Sequence, residues 1–385
     1  MEFVIKMPSN LKMFSPGKIG NLTIRNRFIR SATAEGLAKE DGTVSDKLIE
    51  LFQRLAENQV GLITMGFTYV MENGMATRRQ TGIYKDELVP GLKRLVKTVK
   101  DHPDTIIFPQ LAHAGREIFK ELAKTLDVMA PSAIRDQATQ VKPREMTQED
   151  IEICIKSFIA GARRAYEAEF DGVQLHVAHG YLLNEFISPH FNHRSDAYGG
   201  SLENRFRVIK EILQGIRDEV DKRFPITVKL NTVDFVTEPQ LTIEESTVIA
   251  KRMVEEGVVA IETSGGAYES MLLGNFSPTR VNIKSKEDEA YFLPQAEIIK
   301  KEINVPVILV GGIRSKETVE EVLRVVDFVA LSRPLVHEPD LITKWKDNLT
   351  SRSGCISCNR CLTEQGDQGL RCVYLEKKQK REKVS

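Results

Sequence analysis

The chain has 385 residues, and its 54 Lys and Arg balance its 54 Asp and Glu to a formal net charge of +0. That balance leaves no electrostatic footprint for nucleic acid or an anionic membrane surface, and no apolar run approaches the length that spans a bilayer. The length allows two or three ordinary domains, or one large α/β barrel with an extension.

From the N-terminus, residues 1–14 mix Lys6, Pro8, Asn10 and Lys12 with scattered apolar residues and lack the sustained apolar core of a secretion signal. The expected compartment is the cytoplasm. Cysteine usage agrees, because four of the five cysteines crowd into residues 355–372, whereas a secreted disulfide framework would spread them. Short β-branched runs then alternate with amphipathic ones. They predict strands at 27–34, 61–67, 106–112, 172–177, 226–230, 258–263, 305–310 and 327–331. Between them, helices are expected at 45–58, 91–100, 148–168, 202–223, 243–256, 293–302 and 316–326. Thr147 precedes Gln148, Glu149 and Asp150, and Thr242 stands three residues before Glu245, the spacing of a capping box.

This alternation predicts an α/β fold: a TIM (β/α)₈ barrel over residues 1–345 and a short Cys-rich extension over 346–385. An open dinucleotide-binding sheet would show G-x-G-x-x-G after its first strand, and the residues after Ala34 have no such pattern. Two insertions, at about 116–146 and 266–291, are expected on the catalytic rim as lids or substrate walls. Arg116 and Arg194 are expected rim contacts.

His176, His179 and Tyr181 fall within six residues at the end of the fourth strand. Buried imidazoles and a phenol are costly unless they meet a ligand or each other; a metal is the other use of the two histidines. Gln110 and Lys229 lie inside strands that are otherwise apolar, so they need partners, which a polar heterocycle or a salt bridge would supply. Thr33 and Gly66 end the first two strands and would floor the same pocket. Gly311 and Gly312 follow strand seven, and Ser332 and Arg333 follow strand eight, the place where barrels commonly hold phosphate; a tight turn is the plainer reading of the glycines alone. Cys154 reads as a small core residue, and His190 and His193 as structural supports for the loop around Arg194, Asp196 and Tyr198.

Near the C-terminus, Cys355, Cys358, Cys361 and Cys372 are spaced C-x₂-C-x₂-C-x₁₀-C, which suits a tetrathiolate [4Fe–4S] or zinc site. The basic run Lys377, Lys378, Lys380 and Arg381, interrupted by acids, reads as a solvated tail.

The segment HVAHGYLLNEFISPHFNHRSDAYGGSLENR closely resembles the signature of the Old Yellow Enzyme family of flavin oxidoreductases. It is most similar to the branch of bacterial enoate reductases and the barrel of 2,4-dienoyl-CoA reductase. FSPGKIGNLTIRNRFIRSATAEG, PQLAHAGR, VKLN, VPVILVGGI and DFVALSRPL follow the family's order, so the resemblance covers roughly residues 14–340. It implies FMN across the barrel mouth, with Ala32, Thr33, Gly66, Gln110 and Lys229 around its ring and Gly311, Gly312, Ser332 and Arg333 at its phosphate. It further implies that His176 and His179 anchor substrate and Tyr181 donates a proton. The expected partners are NAD(P)H, as reductant of FMN, and a small electron-poor alkene that takes the hydride; a homo-oligomer is compatible with the sequence. The branch carries a cysteine cluster similar to this one, with one more residue before the third Cys, and serves it with flavodoxin-like and nucleotide-binding domains that have no counterpart in residues 1–385. Where many relatives place Pro and then Cys or Thr beneath the flavin, this chain reads Ser31-Ala32-Thr33-Ala34. Two rivals stay open. One is a barrel lyase or aldolase acting on a phosphorylated substrate; the other is a flavin- or metal-binding redox partner.

Overall fold

The computed structural model describes residues 11–273 and 277–382; most of the segment read for a secretion signal, and part of the second insertion, lie outside them. The chain opens with a hairpin of β1 (Gly17–Ile19) and β2 (Leu22–Ile24), followed by the strands β3 (Phe28–Arg30), β4 (Leu62–Tyr69) and β5 (Ile106–Ala112). A minor parallel pair, β6 (Met129–Ala130) and β7 (Arg144–Glu145), sits in the first insertion. Then come β8 (Val173–Val177), β9 (Ile226–Asn231), β10 (Ala260–Ser264), β11 (Val307–Val310) and β12 (Phe328–Leu331). The helices are α1 (Asp46–Glu57), α2 (Val89–Lys100), α3 (Gln148–Glu167), α4 (Leu182–Ile187), α5 (Leu202–Glu219), α6 (Ile243–Glu255), α7 (Tyr268–Leu272), α8 (Leu293–Glu302), α9 (Lys316–Val322), α10 (Arg333–His337), α11 (Leu341–Lys346), α12 (Arg360–Thr363) and α13 (Val373–Glu382).

The eight expected barrel strands are all present and close in the order β10-β11-β12-β3-β4-β5-β8-β9, every pair parallel. The TIM barrel read from the sequence is therefore the fold. Its strands are buried on both faces, as β8 (VQLHV) shows along its whole length, which is why they read as apolar runs rather than alternating ones. The first strand is shorter than expected. It pairs only over Phe28–Arg30, because the residues from Ala32 on leave the sheet to line the mouth. The hairpin had no signal strong enough to be expected. It places Ile19 and Ile24 against Leu62, Phe108, Ile308 and Phe328, closing the N-terminal end of the barrel with apolar surface.

Helix boundaries follow local chemistry. Thr147 and Asp150 form the reciprocal capping box at α3. Thr242 accepts from the Glu245 amide at α6, but Glu245 turns to Arg205 instead of reaching back, so only half of that box forms. α5 stops at Glu219 rather than at 223, since Pro225 disfavours helix in the residue before it. Cys154 is fully buried in the main core, as expected.

The extension folds back onto the barrel. Ser353 N donates to Arg314 O (2.8 Å) and Leu370 N to Glu35 O (2.7 Å), while Gln365 Nε2 donates to Ala34 O (2.8 Å). The basic run lies on α13 with its side chains exposed. Among the described residues, no helix is long and apolar enough to cross a membrane.

Candidate active site

A cavity of about 740 Å³ opens at the C-terminal ends of the barrel strands, within the roughly 300–1,000 Å³ range of small-molecule sites. Ala32, Thr33, Gln110, Lys229, Ser332, His176, His179 and Tyr181, all singled out in the sequence, share its lining. Residues from five barrel strands or the loops leaving them thus meet in one space.

The polar side chains inside the barrel are joined in a ladder. Gln110 Nε2 donates to Gln174 Oε1 (2.7 Å), and Gln174 Nε2 to Glu262 Oε2 (2.9 Å). Glu262 Oε1 accepts from Ser31 Oγ (2.6 Å) and lies 3.1 Å from Lys229 Nζ, which itself donates to Ser31 Oγ (2.8 Å). Strand register brings these groups side by side, because Lys229 pairs with Glu262 across β9 and β10 and with His176 across β8 and β9. Each buried polar group therefore meets a partner, which is what makes a Gln and a Lys tolerable in apolar strands. Gln174 and Glu262 stand behind the lining and were not singled out in the sequence; their signal was a polar residue inside VQLHV and AIETS.

At the end of β8 the two imidazoles meet edge to face, with ring centroids 5.1 Å apart. His179 adopts φ +66°, a left-handed conformation that side chains other than glycine rarely take, held by Asn231 Oδ1 at its backbone N (3.2 Å) and by Ser264 Oγ at Nε2 (2.7 Å). His176 Nδ1 is buried without a partner. Burial, then the charge of Lys229, lowers the His179 pKa to about 3. Burial, then His179 and Lys229, holds His176 well below the usual imidazole range. Both rings are neutral. Tyr181 stacks on Phe67 (5.3 Å) and lies 4.9 Å from the His176 ring. Burial, then Tyr268 and Glu117, pushes its phenol well above the ordinary value, with Tyr268 in hydrogen-bonding contact. The site thus offers two neutral donors beside a protonated phenol.

The remaining sequence candidates stand around this space rather than in its lining. Gly66 lies behind the wall where β4 shifts register, its N–H donating to Glu35 Oε1 (2.7 Å); a Cβ there would come within 2.1 Å of Glu35 Oε2. Gly312 (φ +72°) packs on the Tyr291 ring and Gly311 on Phe292. Arg333 donates to Arg280 O (2.7 Å) and to Asn359 Oδ1. Arg116 and Arg194, expected on the rim, are internal. Arg116 sits among buried carboxyls, and Arg194 is spent on Pro131 O (3.0 Å), Met146 O (2.6 Å) and Asp196. His190 pairs with Glu269 (3.2 Å) and His193 N donates to Ser132 Oγ (2.9 Å), both supporting roles.

The four cysteines of the extension line a second, small cavity together with Arg333 and Asn359, and Asn359 also lines the large one. Among the described residues, no three His, Cys, Asp or Glu side chains gather as ligands of a single ion would. The thiols share the lining of that small cavity, and Cys372 Sγ lies 3.0 Å from His337 Nδ1. Burial, then the neighbouring Cys355, raises the Cys361 thiol to about 12. Leu362, Thr363, Gln365, Gly366 and Asp367 of the extension, with Phe119, Tyr268 and Met271 from the two insertions, complete the rim of the large cavity. Sequence reasoning placed the insertions there but not the extension.

Residues 12–352 match the model of the NADH:flavin oxidoreductase / NADH oxidase family. An NADH oxidase of Thermoanaerobacter brockii is 38% identical over 364 residues, which cover 93% of this chain and 54% of that protein. The chain therefore spans about half the length of that relative. An NADPH dehydrogenase of Geobacillus sp. (strain WCH70) is 40% identical over 330 residues, covering 85% of this chain and 91% of that one. Among solved structures, 2-naphthoyl-CoA reductase in complex with 2-naphthoyl-CoA aligns with a TM-score of 0.83 at 27% identity, over 90% of this chain and 54% of that chain.

Proposed function

Since this chain belongs to the NADH:flavin oxidoreductase / NADH oxidase family, that of Old Yellow Enzyme, we propose that it is an FMN-dependent NAD(P)H oxidoreductase reducing an activated C=C bond of an enone, enoate or enoyl-type substrate. One observation carries the reading: a single cavity is lined by the amide and ammonium of Gln110 and Lys229 and by the trio His176, His179 and Tyr181.

The cavity volume and its polar lining fit a flavin ring, for which Ala32, Thr33, Gln110 and Lys229 are the lining residues and Gly66 lies close behind. Gly311, Gly312, Ser332 and Arg333 are proposed for the phosphate; of these Ser332 lines the large cavity, and Arg333 follows it in the chain. When bound, FMN supplies the hydride that it has taken from NAD(P)H. The neutral imidazoles then donate N–H groups to the substrate carbonyl oxygen, where negative charge develops as hydride arrives. His176, with a nitrogen that no protein group satisfies, is the better placed of the two. Tyr181 gives a proton to the α-carbon as a general acid. Lys229, held by Glu262 and Ser31, would present its ammonium to the bound ring; that engagement weighs against a Schiff-base role and hence against a lyase.

Cys355, Cys358, Cys361 and Cys372, which share the lining of the small cavity, are proposed as thiolate ligands of a metal centre, either a [4Fe–4S] cluster or zinc. If the centre is a cluster, it would supply single electrons beside the flavin cavity.

Heat-released supernatant should contain FMN, and the anaerobic holoenzyme should bleach with NAD(P)H and recover colour with an enone. Tyr181→Phe should slow the recovery far more than the bleaching. Equal slowing of both steps removes Tyr181 as the acid, and a colourless protein that takes up no added FMN removes the whole reading.

A further inference from the structure

Behind Tyr181 lies a group of buried charges that this chemistry does not use. Arg116 and Glu117 follow β5, Asp136 comes from the first insertion, Glu185 from α4, Glu269 from α7, and His190 from the loop after α4. Arg116, 1% exposed, lies 3.1 Å from Glu269, 3.9 Å from Glu185 and 4.0 Å from Asp136, and its backbone N–H donates to Glu185 Oε1 (2.9 Å). Glu269 also meets His190 at 3.2 Å. Four carboxyls thus share one guanidinium and one imidazole. If all were ionised, the group would bury a surplus of negative charge, at a cost that the chain avoids by keeping a proton.

Burial raises Glu185 to about 8, yet Glu185 still accepts the Arg116 N–H, so Glu117 is the carboxyl with the least support. Both its oxygens are buried without a donor, and so is Asp136 Oδ2, which it faces. Two bare carboxylate oxygens cannot satisfy each other, whereas one proton between them satisfies both. Burial, then the charge of Asp136, pushes the Glu117 carboxyl well above the carboxylate range. Glu117 also sits against the proton donor's own backbone. A Cβ built on Gly180, the residue before Tyr181, would come within 2.5 Å of Glu117 Oε1. Once ionised, Glu117 would raise the pKa of both Tyr181 and Tyr268.

Resting on the reading of Tyr181 as proton donor, we propose that Glu117 is a positioning residue, a neutral carboxylic acid bonded to Asp136 that keeps the wall behind Tyr181 free of added negative charge. When Tyr181 gives up its proton it becomes a phenolate. A neutral Glu117 does not oppose that change, and an ionised one does, in a medium that screens little. The sign follows: below the raised Glu117 pKa the acid is neutral and protonation of the alkene proceeds; above it the step slows. The other titratable groups facing Glu117 are Asp136, Arg116, Glu185, Tyr181 and Tyr268, with Glu269 and His190 beyond Arg116. His113, two residues from Gly115, is buried and held neutral, its pKa lowered to about 4 by burial.

The test uses the FMN-loaded protein. Stopped-flow rates of flavin reduction and of alkene-driven reoxidation are followed against pH for the wild type and for Glu117→Gln. The wild-type reoxidation should fall about tenfold per pH unit on its alkaline limb, and Glu117→Gln should shift that limb upward or abolish it with flavin reduction unmoved. In parallel, infrared difference spectra should show a protonated carboxyl band in the wild type at neutral pH that disappears along the same limb and is missing in Glu117→Gln. The same alkaline limb in both proteins, or no protonated carboxyl band in the wild type, overturns the inference. Should Glu117→Gln fail to fold, Asp136→Asn serves instead: losing the Asp136 charge should move the alkaline limb and the carboxyl band downward together, and an unmoved limb overturns the inference. If Tyr181→Phe leaves reoxidation unchanged, the reading of Tyr181 has failed; if it slows reoxidation while Glu117→Gln has no effect on the limb, only the role of Glu117 has.

Discussion

Replacing Lys229 with Met would remove the ammonium from the polar ladder while keeping most of its stem. Glu262, fully buried, would then keep only Ser31 and Gln174 as partners. At 3.1 Å and an effective dielectric of roughly 20, the lost attraction is about 5 kcal/mol, in line with the roughly 3–5 kcal/mol that breaking a buried pair costs. Glu262→Gln should cost a similar amount, because it strands the ammonium in turn. The double variant removes both charges and leaves neither uncompensated. It should therefore be less destabilised than the two singles added together, by about 3–5 kcal/mol of coupling. Urea unfolding of the four proteins, followed by intrinsic fluorescence, gives the cycle, and flavin binding to each reports whether Lys229 also serves the ring. A Lys229→Met variant that loses under about 1 kcal/mol, or a double variant that is simply additive, would show that the ladder is not coupled as its geometry implies.

Other consequences follow from the same site. Tyr268→Phe removes the hydroxyl next to Tyr181, and should slow alkene-driven reoxidation about tenfold, worth roughly 1.4 kcal/mol, without altering flavin reduction; stopped-flow traces of both half-reactions check it. His176 and His179 are neutral when folded, with the pKa of His179 lowered to about 3 from an ordinary value near 6.5. The unfolded chain therefore binds more protons between those values, so stability is complete above about pH 6.5 and is lost as pH falls through the window. Unfolding free energy against pH should show that slope, and the paired substitution of both residues by Asn should flatten it. Cys361→Ser should strip bound iron and acid-labile sulfide together; retention of either at the wild-type ratio would separate this residue from the metal centre.

The barrel was legible because a parallel sheet covered on both faces leaves eight apolar runs that only length and spacing need to separate. The trio at the end of β8 was legible for the opposite reason, as polar groups too costly to bury idly. What the sequence hid depends on partners distant along the chain. Nothing in AIETS says that Glu262 will meet a Lys from β9 and a Ser from the end of β3, and nothing near Tyr181 announces Glu117 or Tyr268. Arg116 and Arg194 were misplaced because a charged residue in a loop looks solvent-facing until its carboxyl or carbonyl partners are known. Of the residues read for a phosphate, one is placed at the large cavity. Ser332 reaches the cavity, but the rings of Tyr291 and Phe292, which pack on the glycines, come from a segment with no such signature.

The extension and the barrel mouth behave as one structural unit, and Asn359 is the joint between them. Its left-handed backbone (φ +58°) starts α12, a conformation that Asn tolerates better than most residues. Its side chain donates to Thr279 O (2.8 Å) and accepts from Arg333. Thr279 lines the large cavity, Arg333 lines the cysteine cavity, and Asn359 lines both. Two residues after Asn359 comes Cys361, and two residues after that Thr363 and then Gln365 turn to the rim, where Gln365 grips the backbone of Ala34. Ala34 stands where the resemblance leads one to expect a Cys or Thr under the flavin. A short chain segment therefore carries one of the thiols and also reaches the backbone of Ala34. Hydrogen bonds of 2.8 Å at Thr279 O and at Ala34 O thus fasten the cysteine segment to the barrel mouth on both sides of Cys361.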